Sequence, residues 1–284
     1  MSVRVTVPAT SANLGPGFDS MAVALDLELS VEVTAAPEFS IEANIDVPKD
    51  RTNLLVQAFE RVLPADGFSF SVESNIPLCG GLGSSSCAAL GGVLAARALG
   101  GEVDDALALA IEVDGVVDNA TAAWHGGVAI HADGAVVSFA PPQSVTPIIV
   151  APRESVNTAD ARAVLPAEVP LTDAVANTGL AAMLAVGLAT DDVDMISLGL
   201  RDHLHQERRS GLFPNSWALV QRAVELGALG ATISGAGAAV LVWASRDQVD
   251  QVVGKLEAEV ADWATVIQTQ FSSEGAKVNG EAVA

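Results

Sequence analysis

Pro77-Leu78-Cys79-Gly80-Gly81-Leu82-Gly83-Ser84-Ser85-Ser86 runs directly into an alanine-rich helical segment, Cys87 to Leu99. Three glycines let the backbone turn tightly and approach a ligand closely. The helix that follows offers free N–H groups and the positive end of its dipole. Together they form a cradle for an anion, and a nucleotide phosphate fits best. The serine hydroxyls add hydrogen bonds or a Mg²⁺ ligand. No lysine follows the last glycine, so this is not the Walker pattern. A glycine- and serine-rich turn is weak evidence alone, and the rest of the chain has to support it.

The chain of 284 residues has room for one large domain or two modest ones. Half its residues are hydrophobic and 17% are charged, which provides for a substantial core. A net charge of −21 argues against a nucleic-acid partner, which needs a basic face. No basic apolar leader opens the sequence, and Val3-Arg4-Val5-Thr6-Val7 reads as a strand of the fold itself. No uninterrupted apolar run reaches bilayer length, so a soluble, cytoplasmic protein without a membrane partner is expected. Cys79 and Cys87 are the only cysteines, and no second ligand pair lies near them. Reduced thiols are expected rather than a disulfide or a zinc site.

Outward from the glycine loop, Leu25 to Val33 alternates apolar and polar residues, the pattern of a half-buried strand. Phe39–Ile45 and Phe68–Glu73 read as strands, Asn53–Leu63 and Asp104–Glu112 as helices. Gly127–Ala140 reads as a hairpin turning at Ala132-Asp133-Gly134. Val145–Val150 reads as a further strand. The second half is richer in helix: a very apolar, buried one over Thr172–Ala189, then Asp192–His205, Asn215–Leu226 and Asp247–Ala261. Thr232-Ile233 and Ala239–Trp243 flank Ser234-Gly235-Ala236-Gly237-Ala238, a second glycine turn that either touches the phosphate loop or simply joins two strands. Thr265–Phe271 is a last strand, and the polar tail after Ser272 is expected to be loose. A boundary falls near residues 150–155, giving domains 1–150 and 151–284.

Further segments bear on chemistry. Pro8-Ala9-Thr10-Ser11-Ala12-Asn13-Leu14-Gly15-Pro16-Gly17-Phe18-Asp19-Ser20 lies between two strands and concentrates small polar residues around one amide, Asn13, and one carboxylate, Asp19. It reads equally as a ligand-holding loop or a capped surface turn. Asp114-Gly115-Val116-Val117-Asp118-Asn119 supplies carboxylates for Mg²⁺, or is a solvated loop. Thr158-Ala159-Asp160-Ala161-Arg162 and Asp202-His203-Leu204-His205-Gln206-Glu207-Arg208-Arg209 carry arginines, whose planar fork suits carboxylates and phosphates but also ordinary surface ion pairs. His203 and His205 at i, i+2 do not share a helix face, so they are read as ordinary polar residues; His125 and His131 are read as structural.

These segments together resemble the GHMP small-molecule kinases. PATSANLGPGFDS is similar to the N-terminal motif of their homoserine-phosphorylating branch, PLCGGLGSSS to the family's phosphate loop, and SGAGAAV to its C-terminal glycine motif. TADARAVLP and HQERRSGLFP carry the arginines of that branch, and the order and spacing agree over nearly the whole chain. The resemblance implies an α+β protein of the GHMP kinase fold, with an N-terminal S5-like nucleotide-binding domain and a C-terminal ferredoxin-like domain. It implies transfer of a phosphoryl group from ATP to L-homoserine, on the way to threonine, with Mg²⁺ as cofactor, and a homodimer. By the same resemblance, Pro77, Gly80, Gly81, Leu82, Gly83, Ser84, Ser85, Ser86 and Gly235 hold the nucleotide, and Ser85 and Asp114 the Mg²⁺. Asn13, Asp19, Arg162 and Arg209 hold the amino acid, the arginines at its carboxylate. Asp118, Asn119 and Thr158 stand at the reacting hydroxyl, with no dedicated general base and Asp118 the nearest candidate.

The third motif departs from the family's usual Glu-Gly-His-Pro-Asp-Asn. Asp114 replaces the glutamate, Val116 the histidine and Val117 the proline. Asp114 is one methylene shorter, which leaves Glu112 as a second metal candidate, and Val116 offers no hydrogen bond to a substrate. Two alternatives therefore stay open: a kinase of the same family for another small hydroxylated acid, and a non-catalytic sensor of nucleotide or amino acid.

Overall fold

A computed structural model describes residues 2–154 and 156–284. The first layer begins with β1 (Ser2–Ala12) and β2 (Met21–Ala35), paired antiparallel across a register shift at Pro8/Ala9. It continues through β3 (Ser40–Ala43), α1 (Leu54–Glu60), β4 (Phe68–Ser74), α2 (Ser84–Ala98), α3 (Ala106–Asp114) and α4 (Val117–His125), and ends in the hairpin β5 (Val128–Ala132) and β6 (Ala135–Phe139). β2 is long enough to serve two neighbours. Its start, Met21–Val23, pairs with β5, and its end, Leu29–Ala35, pairs with β4. The alternation seen in the sequence is the reason: Leu25, Val31 and Val33 are fully buried under the helices, whereas Asp26, Glu28 and Glu32 face out. The hairpin turns at Asp133-Gly134, both at positive φ, as a two-residue turn of this twist requires.

The second layer is built from β7 (Val145–Pro152), α5 (Thr158–Ala163), α6 (Leu171–Thr190), α7 (Val193–Gly199), α8 (Gln206–Arg209), α9 (Pro214–Arg222), β8 (Gly230–Ile233), β9 (Val240–Ser245), α10 (Val249–Val260) and β10 (Ala264–Gln268). Its four strands lie in the order β10-β7-β9-β8, all antiparallel. That is the ferredoxin-like order expected of the second half. The expected boundary at 150–155 falls at the end of β7, and the chain passes from one sheet to the other at residues 140–144.

Several local expectations are corrected. The tail after Ser272 is not loose. β11 (Lys277–Val278) pairs with β1 and with β12 (Glu281–Ala282), and Ala276 is fully buried. Its polar sequence hides this because the pairing is with residues far away in the chain. The Asp192–His205 helix stops at Gly199, and 200–205 is a loop folded back towards the first layer.

The apolar helix over Thr172–Ala189 is present as α6, but it is buried on one face only: Asn177, Leu180, Leu184, Gly187 and Leu188 are covered, while Leu171 and Val175 are 78% and 65% exposed. By length and composition α6 could cross a bilayer, which amends the expectation that no segment has that length. In this fold it packs on α7, and its Asn177 donates to the carbonyl of Pro16 in the N-terminal loop.

Candidate active site

Three loops from distant parts of the chain meet over one cavity of about 490 Å³. The loop 13–20 joins β1 to β2, the glycine loop 77–83 leads into α2, and the turn 234–238 joins β8 to β9. Backbone bonds lock them together: Thr10 N–H donates to the Leu82 carbonyl, Gly235 N–H to Ala12 and Ala239 N–H to Gly80. Ser234 Oγ bonds both Ser11 Oγ, at 2.7 Å, and the Gly81 carbonyl, at 2.5 Å. The second glycine turn therefore does touch the first.

Two glycines make this contact possible. Gly81 sits at φ +88°, and a Cβ there would lie 2.1 Å from the Ser234 carbonyl oxygen. Gly83 caps α2 at φ +67°, where a Cβ would lie 2.0 Å from Thr10 Oγ1. That hydroxyl in turn donates to Asn119 Oδ1 at 2.7 Å. Gly80, Gly81, Gly83, Ser84, Ser85 and Gly235 all line the cavity. Pro77, Leu82 and Ser86 do not: Leu82 is a core residue, and Ser86 donates its hydroxyl to Asp114 Oδ2.

Asp114 ends α3 and lines the cavity facing the start of α2. Burial pushes its carboxyl up, against hydrogen bonds from Ser86 and Ser85 that pull it down. Glu112, the other metal candidate, is paired with Arg61 at 2.9 Å on the exposed outside of α3, away from the cavity. Among the described residues no group of three or more His, Cys, Asp or Glu could cage a metal ion. The set present, one carboxylate beside a serine hydroxyl, is what Mg²⁺ uses when phosphates and waters supply the remaining ligands.

Beside the glycine loop stands the first turn of α4. Asp118 and Asn119 are buried there. Burial, with the Asp19 charge adding, pushes the Asp118 carboxyl up to about 6, although it accepts the Asn119 N–H at 2.7 Å. Asn13, at φ +71°, uses its amide to shape the loop: Oδ1 accepts from Asp19 N–H at 2.9 Å and Nδ2 donates to the Gly235 carbonyl at 2.7 Å. Arg162, from α5, donates to Asp19 Oδ1 at 2.8 Å. Arg209 is buried beside it. Its Nε donates to the Ala161 carbonyl at 2.9 Å, and Nη1 lies 3.2 Å from His205 Nδ1. Desolvation lowers the Arg209 pKa and the hydrogen bond to Asp19 raises that of Arg162. Thr158, the first residue of α5, lines the same cavity.

Two histidines read as ordinary or structural residues belong here instead. His131 of β5 lines the cavity, its Nε2 buried without a hydrogen-bond partner among the described residues. His205 lies buried behind Arg209, 2.8 Å from the Gly15 carbonyl. Neither position carries a sequence signal, since each meets the site only through residues far off in the chain. Cys79 and Cys87 are both unbridged, and burial pushes Cys79 up to about 11 and Cys87 higher still.

A phosphate-sized cradle at a helix N-terminus, a carboxylate–hydroxyl pair and two guanidinium groups in one cavity describe a small-molecule phosphotransferase. The family model for the GHMP kinases N terminal domain matches residues 53–127, and that for the GHMP kinases C terminal region matches 184–262. The chain belongs to the GHMP kinases. Within that family it groups with the homoserine kinases. It is 38% identical to homoserine kinase of Desulfitobacterium hafniense over 88% of this chain and 90% of the relative. To that of Streptomyces coelicolor it is 40% identical over 88% and 87%. The crystal structure of homoserine kinase from Cytophaga hutchinsonii superposes with a TM-score of 0.85 at 27% identity, over 98% of this chain and 97% of that one. Mevalonate kinase of Methanococcus jannaschii shares the fold, with a TM-score of 0.73 at 15% identity over 94% and 98%.

Proposed function

We infer that this protein transfers the γ-phosphoryl group of ATP to the side-chain hydroxyl of L-homoserine, giving ADP and O-phospho-L-homoserine, a step towards threonine. One observation carries the reading: a single cavity is lined by a glycine-rich helix N-terminus and by two guanidinium groups. The relatives' shared activity supplies the substrate. Two arginines favour an acceptor with a carboxylate over a sugar.

Phosphoryl transfer calls for positioning and charge neutralisation more than for covalent chemistry. The N–H groups of the glycine loop and the start of α2 hold the β- and γ-phosphates. Ser85 and Asp114 would hold Mg²⁺, which neutralises phosphate charge when bound. Arg162 and Arg209 take the acceptor's carboxylate and so aim its hydroxyl at the γ-phosphorus. Asp118 and Asn119 stand on the wall where that hydroxyl arrives. Above about pH 6 Asp118 is ionised and accepts a hydrogen bond from it. In a loose transition state the proton leaves late, so Asp118 orients the hydroxyl rather than stripping it beforehand. Val116 lines the cavity as an apolar surface, and its neighbours supply the polar contacts.

The test is ADP release from Mg·ATP with L-homoserine, compared with no acceptor, L-threonine, L-serine and mevalonate. Turnover that depends on homoserine is the expected result. ATP binding without turnover on any acceptor would sink the reading and leave a sensor in its place.

A further inference from the structure

His205 is held between two partners of opposite character. Its Nε2 lies 2.8 Å from the carbonyl oxygen of Gly15, and its Nδ1 lies 3.2 Å from Nη1 of Arg209. A carbonyl can only accept a hydrogen bond and a guanidinium can only donate. One form of the imidazole satisfies both at once, the neutral ring with its proton on Nε2. The ring is stacked on Phe18, with centroids 4.9 Å apart and planes at 25°. The guanidinium carbons of Arg209 and Arg162 stand 5.1 and 5.7 Å from the centroid of that same Phe18 ring. Arg209 therefore has four contacts: the Ala161 carbonyl at Nε, His205 at Nη1, the Gly235 carbonyl at the same Nη1 at 3.4 Å, and Phe18 on its face. Among the described residues its Nη2 makes no hydrogen bond, and Arg209 lines the cavity.

We propose that His205 is a positioning residue, which as the neutral Nε2–H tautomer holds the Arg209 guanidinium in the orientation that receives the acceptor's carboxylate. The proposal rests on the reading of the cavity as an amino-acid phosphorylation site. It adds the reason why one of two arginines is buried among protein acceptors while the other is exposed and paired with Asp19.

The charged groups facing the ring are few. Asp202, 3.8 Å from Nε2, already accepts the N–H groups of Leu204, His205 and Gln206 at the start of α8. Asp19 faces it from the N-terminal loop, Arg209 from α8 and Arg162 from α5, across Phe18. Burial and Arg209 disfavour the imidazolium more than Asp202 and Asp19 favour it, so the ring titrates below the ordinary imidazole range. Protonation would put a donor where Arg209 needs an acceptor.

The experiment is steady-state kinetics on the wild type, His205→Phe and His205→Gln. Loss of the Nδ1 acceptor is expected to raise KM for L-homoserine about tenfold, the scale of one charge-assisted hydrogen bond. KM for ATP and kcat stay near wild type, because only acceptor binding is touched. His205→Gln, whose amide can donate to Gly15 and accept from Arg209, recovers most of the loss. Equal losses in kcat and in both KM values, or none at all, would overturn the proposal. If His205→Phe does not fold, a long-range ¹⁵N spectrum of the wild type decides. The Nε2–H tautomer at pH 7 supports the proposal, and an Nδ1–H tautomer or an imidazolium overturns it. A wild type inactive on homoserine removes the functional reading itself, a failure visible before any variant is made.

Discussion

Arg162 Nη2 donates to Asp19 Oδ1 at 2.8 Å, joining two residues 143 positions apart in the chain across the mouth of the cavity. The two side chains are about half exposed. On the proposed reading, the acidic residue of the first loop occupies the guanidinium assigned to the acceptor's carboxylate, and substrate has to share or displace it. Arg162→Ala is expected to lower kcat/KM for L-homoserine about 10- to 150-fold, the range of one charge-assisted bond. Because an exposed pair contributes little to stability, the melting temperature should move by no more than about 3 °C. Unchanged kinetics would remove Arg162 from the site.

Asp118 separates stability from activity. Its carboxyl stands at about 6 in the folded chain, against an ordinary value of 3.8. Between those two pH values the folded state holds the proton more tightly than the unfolded one. Stability from this group therefore falls as pH rises from 3.8 to 6 and stays low above it. Asp118→Asn keeps the acceptor for the Asn119 N–H and removes the buried charge. At pH 7 it should be stabilised by up to about 3 kcal/mol, with the gain vanishing near pH 4. Its kcat should fall, but by no more than the roughly 10²–10⁴-fold of general-base catalysis. A much larger drop in kcat would show that proton removal comes early.

Asp114 and Glu112 offer a paired test of the metal site. Asp114→Asn preserves the hydrogen bond from Ser86 but loses the charge, and the Mg²⁺ concentration for half-maximal ADP formation should rise about 10- to 100-fold. Glu112→Gln, on the outer face of α3 with Arg61, should leave that concentration where it was. The reverse pattern would reassign the metal to Glu112.

Gly81→Ala places a methyl group against the Ser234 carbonyl from a backbone conformation that alanine resists. A loss of about 1–3 kcal/mol of stability, together with a raised KM for ATP, is the expected signature. Thermal melts and ATP titration of the same sample would read both.

Removing residues 273–284 takes away β11, β12 and the buried Ala276. A drop in melting temperature of about 5–10 °C is expected, corresponding to a few kcal/mol in a chain of this size. A truncated chain that melts like the full one would mean that the pairing of Val5 with Val278 contributes nothing.

Strands with strict alternation, such as β2, and the glycine turns were legible because their signals are local: a period of two, and residues that permit positive φ. The glycines hint that two turns meet, but they do not say that Ser234 joins Ser11 and Gly81. β11 and β12 leave no mark in the sequence because two-residue strands have no period, and β11 joins the sheet through β1, at the opposite end of the chain. α6 looked like a core helix because its composition is apolar nearly all round, and composition does not reveal that only one face finds a neighbour. At the site, the residue types in the loops pointed to phosphate and carboxylate chemistry. The choice between Asp114 and Glu112 needed the helix face, and the role of His205 needed Gly15, which lies 190 residues away.

The three-loop junction also bears on biosynthesis. Ser11 and Ser234 are 223 residues apart, so the cavity closes only after most of this sequence has been translated. The first layer can gather its helices on the ribosome much earlier, since domains form as units during synthesis. A nascent chain at that stage already has its phosphate loop but neither arginine nor the 234–238 turn that backs the loop. The complete cavity, with both arginines and the 234–238 turn on its lining, is thus a product of the last stage of folding.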